Sequence, residues 1–174
     1  MDNLEKEGSY AKTIALRYIS RSAKSVKEVE TKLKKKDIDE HIIGKTIDYL
    51  KSMGYLNDDI FARDWAVSKI KNSLWGSNRI IYGLRQKGIS EQIIKQVIEN
   101  LDTETTELDT AKIALKKWLK KQGHGVSIKG QDKLKQKQKA FRHLHTKGFS
   151  IHVITTVIKK ILHDGLEIDT DYTE

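Results

Sequence analysis

Three stretches of this chain align without a gap. They are LKKKDIDEHIIGKTIDYL at 33–50, LRQKGISEQIIKQVIENL at 84–101 and LHTKGFSIHVITTVIKKI at 144–161. Leu33 falls with Leu84 and Leu144, Lys36 with Lys87 and Lys147, and Ile38 with Ile89 and Phe149. Ile47 falls with Ile98 and Ile158. The intervals of 51 and 60 residues are those of a chain built from repeated supersecondary units. One column holds Asp39, Ser90 and Ser150, all good helix N-caps. Two positions earlier stand Asp37, Gly88 and Gly148, where a preceding helix would end in a left-handed residue. Glycine fits that role better than Asp37 does, so the first junction is expected to differ. After the cap, apolar residues recur at the spacing of one helix face. Each motif therefore reads as helix end, tight turn, new helix.

Two further helical patterns precede each motif. In the first repeat they are Tyr10–Ile19, with Ala11, Ile14, Ala15, Tyr18 and Ile19 on one face, and a helix opened by Ser25 with Glu28 completing a capping box. In the second, Asn57-Asp58-Asp59 begins a helix with Ile60, Phe61, Trp65 and Ile70 as its stripe, and Gly76-Ser77 leads into Ile80, Ile81 and Leu84. In the third, Leu108, Ala111, Leu115, Trp118 and Leu119 mark the first helix, and Ala140, Phe141 and Leu144 end the second. Residues 120–139 between them read as a long irregular stretch. No alternating run is long enough for a strand. The expectation is an all-α protein of three tandem three-helix repeats in an elongated arrangement: 1–56, 57–104, 105–163 with a basic insertion, then an acidic tail at 164–174. Units of about 50 residues have little core of their own, so neighbours must dock.

Composition narrows the function. The chain lacks cysteine, which excludes disulfides, a thiolate nucleophile and Cys-ligated metal. The polar, acidic start MDNLEKEGSY does not resemble a secretory signal, and no apolar run nears the ~20 residues of a membrane span. The net charge of +9 is unevenly placed. Residues 105–163 carry 14 basic and 3 acidic residues, whereas 57–104 are neutral and the tail has five acids and no base. A basic segment of this kind suits a polyanion, although a lysine-rich solvated face has the same composition.

The segments MGYLNDDIFARDWA (53–66) and RIIYGLRQKGIS (79–90) resemble the RecX family of bacterial recombination regulators, and ALRYISRSAKSVKEVETKL (15–33) is similar to that family's opening segment. The resemblance spans about residues 10–163 and is weakest in the third repeat. One departure is WGSN before Arg79, where members often have a proline after the glycine; this chain has no proline at all. The resemblance implies three tandem three-helix repeats. It also implies binding to the RecA recombinase and its nucleoprotein filament, inhibition of RecA ATP hydrolysis and strand exchange, and DNA binding. The expected partners are thus RecA and its filament, and single- and double-stranded DNA. The protein is expected to be a cytoplasmic monomer with no membrane partner, no cofactor and no enzymatic activity.

The residues supply candidate contacts. Lys112, Lys116, Lys117, Lys120 and Lys121 fall mainly at helical spacings, opposite Leu115, Trp118 and Leu119. Lys129, Lys133, Lys135, Lys137, Lys139 and Arg142 extend the charge. Lysine predominance suits phosphate contact, which depends on counterion release rather than on base readout. A second cluster, Lys32, Lys34, Lys35 and Lys36, with Arg79, Arg85 and Lys87 in the next unit, is a RecA or DNA contact or simply complements helix C-termini. Trp65 and Trp118 read as core residues, Tyr55 as packed in its turn, and Trp75 as unit packing or partner contact. Asp58 and Asp59 suit the first turn of a helix. The His143, His145 and His152 spacing does not make a metal site, and no GxxxxGK[ST] loop is present. The alternative function is a helix-turn-helix transcription factor, since three-helix units often contain such modules. An enzyme ranks third, for want of a nucleophile, base and orienting group.

Overall fold

The computed structural model describes residues 3–101, 107–122 and 131–162, with side chains from residue 5 onward and, in the last stretch, from residue 134. Among the described residues there are nine helices and no strand. The first repeat holds α1 (Asn3–Ile19), α2 (Val26–Lys34) and α3 (Glu40–Ser52); the second holds α4 (Asp58–Ser73), α5 (Ser77–Gln86) and α6 (Glu91–Leu101); the third holds α7 (Glu107–Lys121), α8 (Gln131–Thr146) and α9 (Ile151–Leu162). Two compact units emerge, and they divide the second repeat between them. One comprises residues 1–66 and 83–97, the other 67–82 and 98–174, so the division runs through α4, α5 and α6.

The first unit has a core of Ala11, Ala15, Val29, Leu33, Ile38, Ile42, Ile43, Ile47, Leu50 and Leu56, with Ile14, Tyr18, Ile19 and Val26 packed against it. The small Ala11 and Ala15 let α1 lie close to α3. The core of the second unit draws on α7, α8 and α9, with Leu115, Leu119, Leu144, Phe149, Ile154 and Val157 almost wholly buried.

The repeated turn has the same construction three times. Asp37, Gly88 and Gly148 are all left-handed, with φ of 55°, 76° and 87°. The amides of Ile38, Ile89 and Phe149 donate back to the carbonyls of Leu33, Leu84 and Leu144, at 3.4, 3.1 and 3.3 Å. These bonds, with the three apolar residues buried beneath them, form a Schellman cap on each middle helix. The first junction thus does not differ: aspartate tolerates the left-handed region better than most side chains. Two residues after each left-handed position comes the cap of the third helix, Asp39 accepting from the His41 amide at 2.9 Å and Ser150 from the Val153 amide at 3.3 Å.

Some expectations are corrected. Residues 120–139 are not a single irregular stretch, because α7 continues to Lys121 and α8 begins at Gln131. The lysine-rich run from 131 to 139 has no helix breaker, and its long side chains lose little freedom in a helix. Ile60 lies off the buried stripe of α4 and is 60% exposed, and Tyr55 is 54% exposed rather than packed. Trp65 and Trp118 are half-buried rather than core. Trp118 lies against the second core, and the Trp65 ring rests on Gly83, where a β-carbon would collide with it. The acidic tail lies outside the described residues, as do Lys129 and residues 123–130.

Candidate nucleic-acid interface

Each unit contains one junction between successive repeats, and the two are built alike. In the first, Ser25 caps α2: its Oγ accepts from the Glu28 amide at 3.2 Å, and Glu28 Oε2 accepts from the Ser25 amide at 3.1 Å. The Ser25 hydroxyl also donates to the Lys87 carbonyl in the α5–α6 turn at 2.7 Å. Asp58, in the first turn of α4, accepts from the Val26 amide at 3.0 Å. Counted on by the same interval of 51 residues, Ser25, Val26 and Glu28 become Gly76, Ser77 and Arg79.

The second junction repeats the pattern with backbone in place of the serine hydroxyl. The Gly76 amide donates to the Lys147 carbonyl at 2.9 Å, and the Asn78 amide to the Gly148 carbonyl at 3.1 Å. Glu107, in the first turn of α7, accepts from the Ser77 amide at 2.9 Å. Gly76 admits this approach because a β-carbon there would lie 2.6 Å from Gly148 backbone atoms. In both junctions an acid from the following repeat covers an open amide at the start of a middle helix, and a left-handed turn docks beside it.

The charges of the two junctions differ. Lys87 Nζ lies 2.8 Å from Glu28 Oε1, with both side chains about three-quarters buried. Burial raises the Glu28 pKa, but the Lys87 hydrogen bond, the Ser25 amide and nearby positive charge outweigh it and hold the carboxyl below its ordinary value. In the second junction Arg79 stands where Glu28 stands in the first, and Lys147 where Lys87 stands. Arg79 Nη1 donates to the Thr146 carbonyl at 2.8 Å, and its guanidinium lies 4.4 Å from the Trp75 ring centroid. Lys147 Nζ donates to the Ser73 carbonyl at 2.6 Å. Burial lowers the Lys147 pKa, and the charges of Arg79 and Lys117 lower it further.

The candidate basic residues take varied places. Lys116, Lys117, Lys120 and Lys121 are exposed on α7, and Lys135, Lys139 and Arg142 on α8. Lys112 is bound to Asp109 at 2.7 Å. Lys137 and Arg142 line an open groove of ≈ 610 Å³ between α8 and α9, with Phe141, Ile158 and Lys159. Lys133 has no described side chain. Lys34 pairs with Glu40 at 2.9 Å and Arg85 with Glu91 at 2.6 Å, while Lys35 and Lys36 are exposed. Lys87 is tied to Glu28 and lies near the Phe61 and Trp65 rings, which makes it a packing residue. Trp75 is half-buried beside Arg79. Sequence reasoning aligned Lys147 with Lys87 but did not single it out; extending the alignment into the middle helices would have shown Arg79 in the Glu28 column.

The other candidates have structural roles. Asp58 is a cap, His143 stacks on Trp118 with ring centroids 5.5 Å apart, and His145 stacks on Phe141 at 6.1 Å. Among the described residues no cluster could hold a metal ion, and no helix is long and apolar enough to cross a membrane.

Comparison with known proteins supplies the family. Residues 11–50 match the family model described as RecX, first three-helix domain, and residues 57–98 that of RecX, second three-helix domain. A regulatory protein RecX of Clostridium beijerinckii is 36% identical over 87% of this chain and 68% of its own length. One from Clostridium perfringens is 35% identical over 92% of this chain and 72% of its own. The crystal structure of RecX from Lactobacillus salivarius superposes with a TM-score of 0.75 at 27% identity, covering 90% of this chain and 97% of that one. The tandem three-helix repeats and these likenesses together show that the chain belongs to the RecX family of regulatory proteins.

Proposed function

We propose that this protein is a non-enzymatic regulator of the RecA recombinase, mainly an inhibitor, which binds the RecA–DNA filament and also binds DNA itself. Membership of the RecX family supports the regulatory part. The observation that supports DNA binding is the run of exposed cations on α7 and α8: Lys116, Lys117, Lys120, Lys121, Lys135, Lys139 and Arg142. Such a face attracts phosphates over a distance of about a Debye length, ~8–10 Å at physiological salt, and gains affinity by releasing counterions. The protein would bridge neighbouring RecA protomers while holding their DNA. That bridge hinders the rearrangements that accompany ATP hydrolysis, filament growth and strand exchange. The ATPase affected is RecA's own. A protein of this kind works in the cytoplasm, where RecA and DNA meet.

The test is RecA ATP hydrolysis on single-stranded DNA with this protein added up to equimolar amounts, together with co-sedimentation with RecA filaments. Inhibition with co-sedimentation is expected. An unchanged rate and no co-sedimentation at equimolar protein reject the reading.

A further inference from the structure

The second junction holds cations together where the first holds an ion pair. Arg79 and Lys147 occupy the places of Glu28 and Lys87, and Lys117 on α7 is close enough to bear electrostatically on Lys147. Among the described residues, none of the three is ion-paired with a carboxylate. The acid of this junction, Glu107, is committed to the Ser77 amide at 2.9 Å.

The cations are also fixed in place. Arg79 is held by the Thr146 carbonyl at 2.8 Å and by the Trp75 ring, and Lys147 by the Ser73 carbonyl at 2.6 Å. Gly148, with φ of 87° and no room for a β-carbon against the Arg79 backbone, holds the two segments together. The holding groups are neutral, so the positive charge is not cancelled. Like charges gathered in a half-buried place repel, and an incoming anion relieves that repulsion. Because the Arg79 and Lys147 side chains are already held, they lose little further entropy on binding.

We propose that Arg79 and Lys147 form a seat for a backbone phosphate of nucleic acid, with Lys117 on α7 as the next cation along the strand. The seat rests on the reading that this chain itself binds DNA, and locates part of that binding. A nucleic-acid strand fits better than an isolated acidic side chain, because the charge continues from Lys117 to the exposed Lys116, Lys120 and Lys121. Lys117 and Lys121 stand one helical turn apart, about 6 Å along α7, so a repeating polyanion meets successive cations. Arg79 contributes a planar donor fork and Lys147 a point charge, which together suit the oxygens of one phosphate.

The experiment uses the full chain and a fluorescein-labelled single-stranded oligonucleotide, with anisotropy titrations across a series of salt concentrations. Variants are Lys147→Gln, Lys117→Gln and Arg79→Glu, with Lys45→Gln in the other unit as a loss of charge equal to that of each Gln variant. Each of the two Gln variants is expected to weaken binding and to lower the salt slope by ~0.7, one phosphate contact on a single strand. Arg79→Glu rebuilds the ion pair seen in the first junction, so it is expected to weaken DNA binding while its thermal midpoint is maintained or raised. Lys117→Gln, on an exposed helix face, keeps the test open if Arg79→Glu fails to fold. Wild-type binding with slopes unchanged in all three variants, or changed no more than in Lys45→Gln, overturns the seat while leaving DNA binding standing. Unchanged DNA binding with weakened binding to RecA alone assigns the cluster to a protein carboxylate and overturns the phosphate. A wild type that does not bind the oligonucleotide overturns both readings.

Discussion

Lys87 Nζ lies 2.8 Å from Glu28 Oε1, and at the equivalent places one repeat later stand two cations, Lys147 and Arg79. The two junctions share a left-handed turn, an acid over a helix-start amide, and backbone that approaches closely. Beyond the exchange of the Ser25 hydroxyl for backbone, what distinguishes them is that Arg79 stands in place of the Glu28 carboxylate. The lysine of the first junction is paired and serves stability, whereas among the described residues the cations of the second have no carboxylate partner.

The pairing in the first junction gives a stability prediction. Ser25 is fully buried, accepts from the Glu28 amide and donates to the Lys87 carbonyl. Ser25→Ala removes both bonds and strands buried backbone groups, for an expected loss of about 2 kcal/mol. Glu28→Gln is expected to cost about 1–2 kcal/mol, because it breaks a charge-assisted bond between two largely buried side chains. Urea unfolding of the two variants measures both. The Glu28 contribution is present above its ordinary pKa of 4.5 and is lost as pH falls through its lower folded value, so Glu28→Gln should flatten acid unfolding in that range.

The second junction depends on glycine. Gly148→Ala places a β-carbon 2.5 Å from the Arg79 amide nitrogen on a backbone with φ of 87°. Strain and overpacking together should cost about 2–4 kcal/mol. Gly54 has φ of 73° with open space around it, so Gly54→Ala should cost only about 1 kcal/mol. Similar losses for the two variants would refute the tight docking of the α8–α9 turn on Arg79.

His143 should make the second unit sensitive to acid. Burial lowers its pKa below the ordinary 6.5, and the charge of Lys147 lowers it further. The folded state therefore takes up the proton later than the unfolded chain. Its destabilising effect is fully present below the folded pKa, diminishes as pH rises and is gone above about 6.5. Thermal midpoints of His143→Gln should rise less steeply than those of the wild type as pH increases towards 6.5. Parallel curves would show that His143 does not control this part of the pH profile.

The exposed lysines of α7 predict a salt effect. Replacing Lys116, Lys120 and Lys121 together with Gln should weaken DNA binding and reduce the salt slope by up to ~0.9 per lost duplex contact, or ~0.7 on a single strand. Thermal stability should stay close to that of the wild type, since all three are exposed. An unchanged slope would mean that these lysines only solvate the helix.

Much of the architecture was legible in the chain itself. The columns of Leu33, Leu84 and Leu144 and of Ile38, Ile89 and Phe149 mark the two apolar partners of a Schellman cap, and the structure makes that cap three times. Ser25 and Glu28 announce a capping box, which also forms. Local rules sufficed there because all the interacting groups lie within a few residues. They failed at Ile60 and Tyr55, whose exposure depends on which face meets a neighbouring helix. They also failed over 131–139, where a dense lysine run resembles a loop in composition and a helix in propensity.

The candidate site divides in the same way. Sequence alone determined the all-α repeats, the turns between them and the concentration of positive charge in the third repeat, because periodicity, capping and charge are local or additive properties. The column itself does not separate Lys87 from Lys147, which occupy it with the same side chain. Only tertiary structure decided that Lys87 meets Glu28 whereas Lys147 meets Arg79 and the charge of Lys117. A charged group's role depends on what lies within a few ångströms of it, and those neighbours come from parts of the chain about 60 residues away in the one case and about 70 in the other.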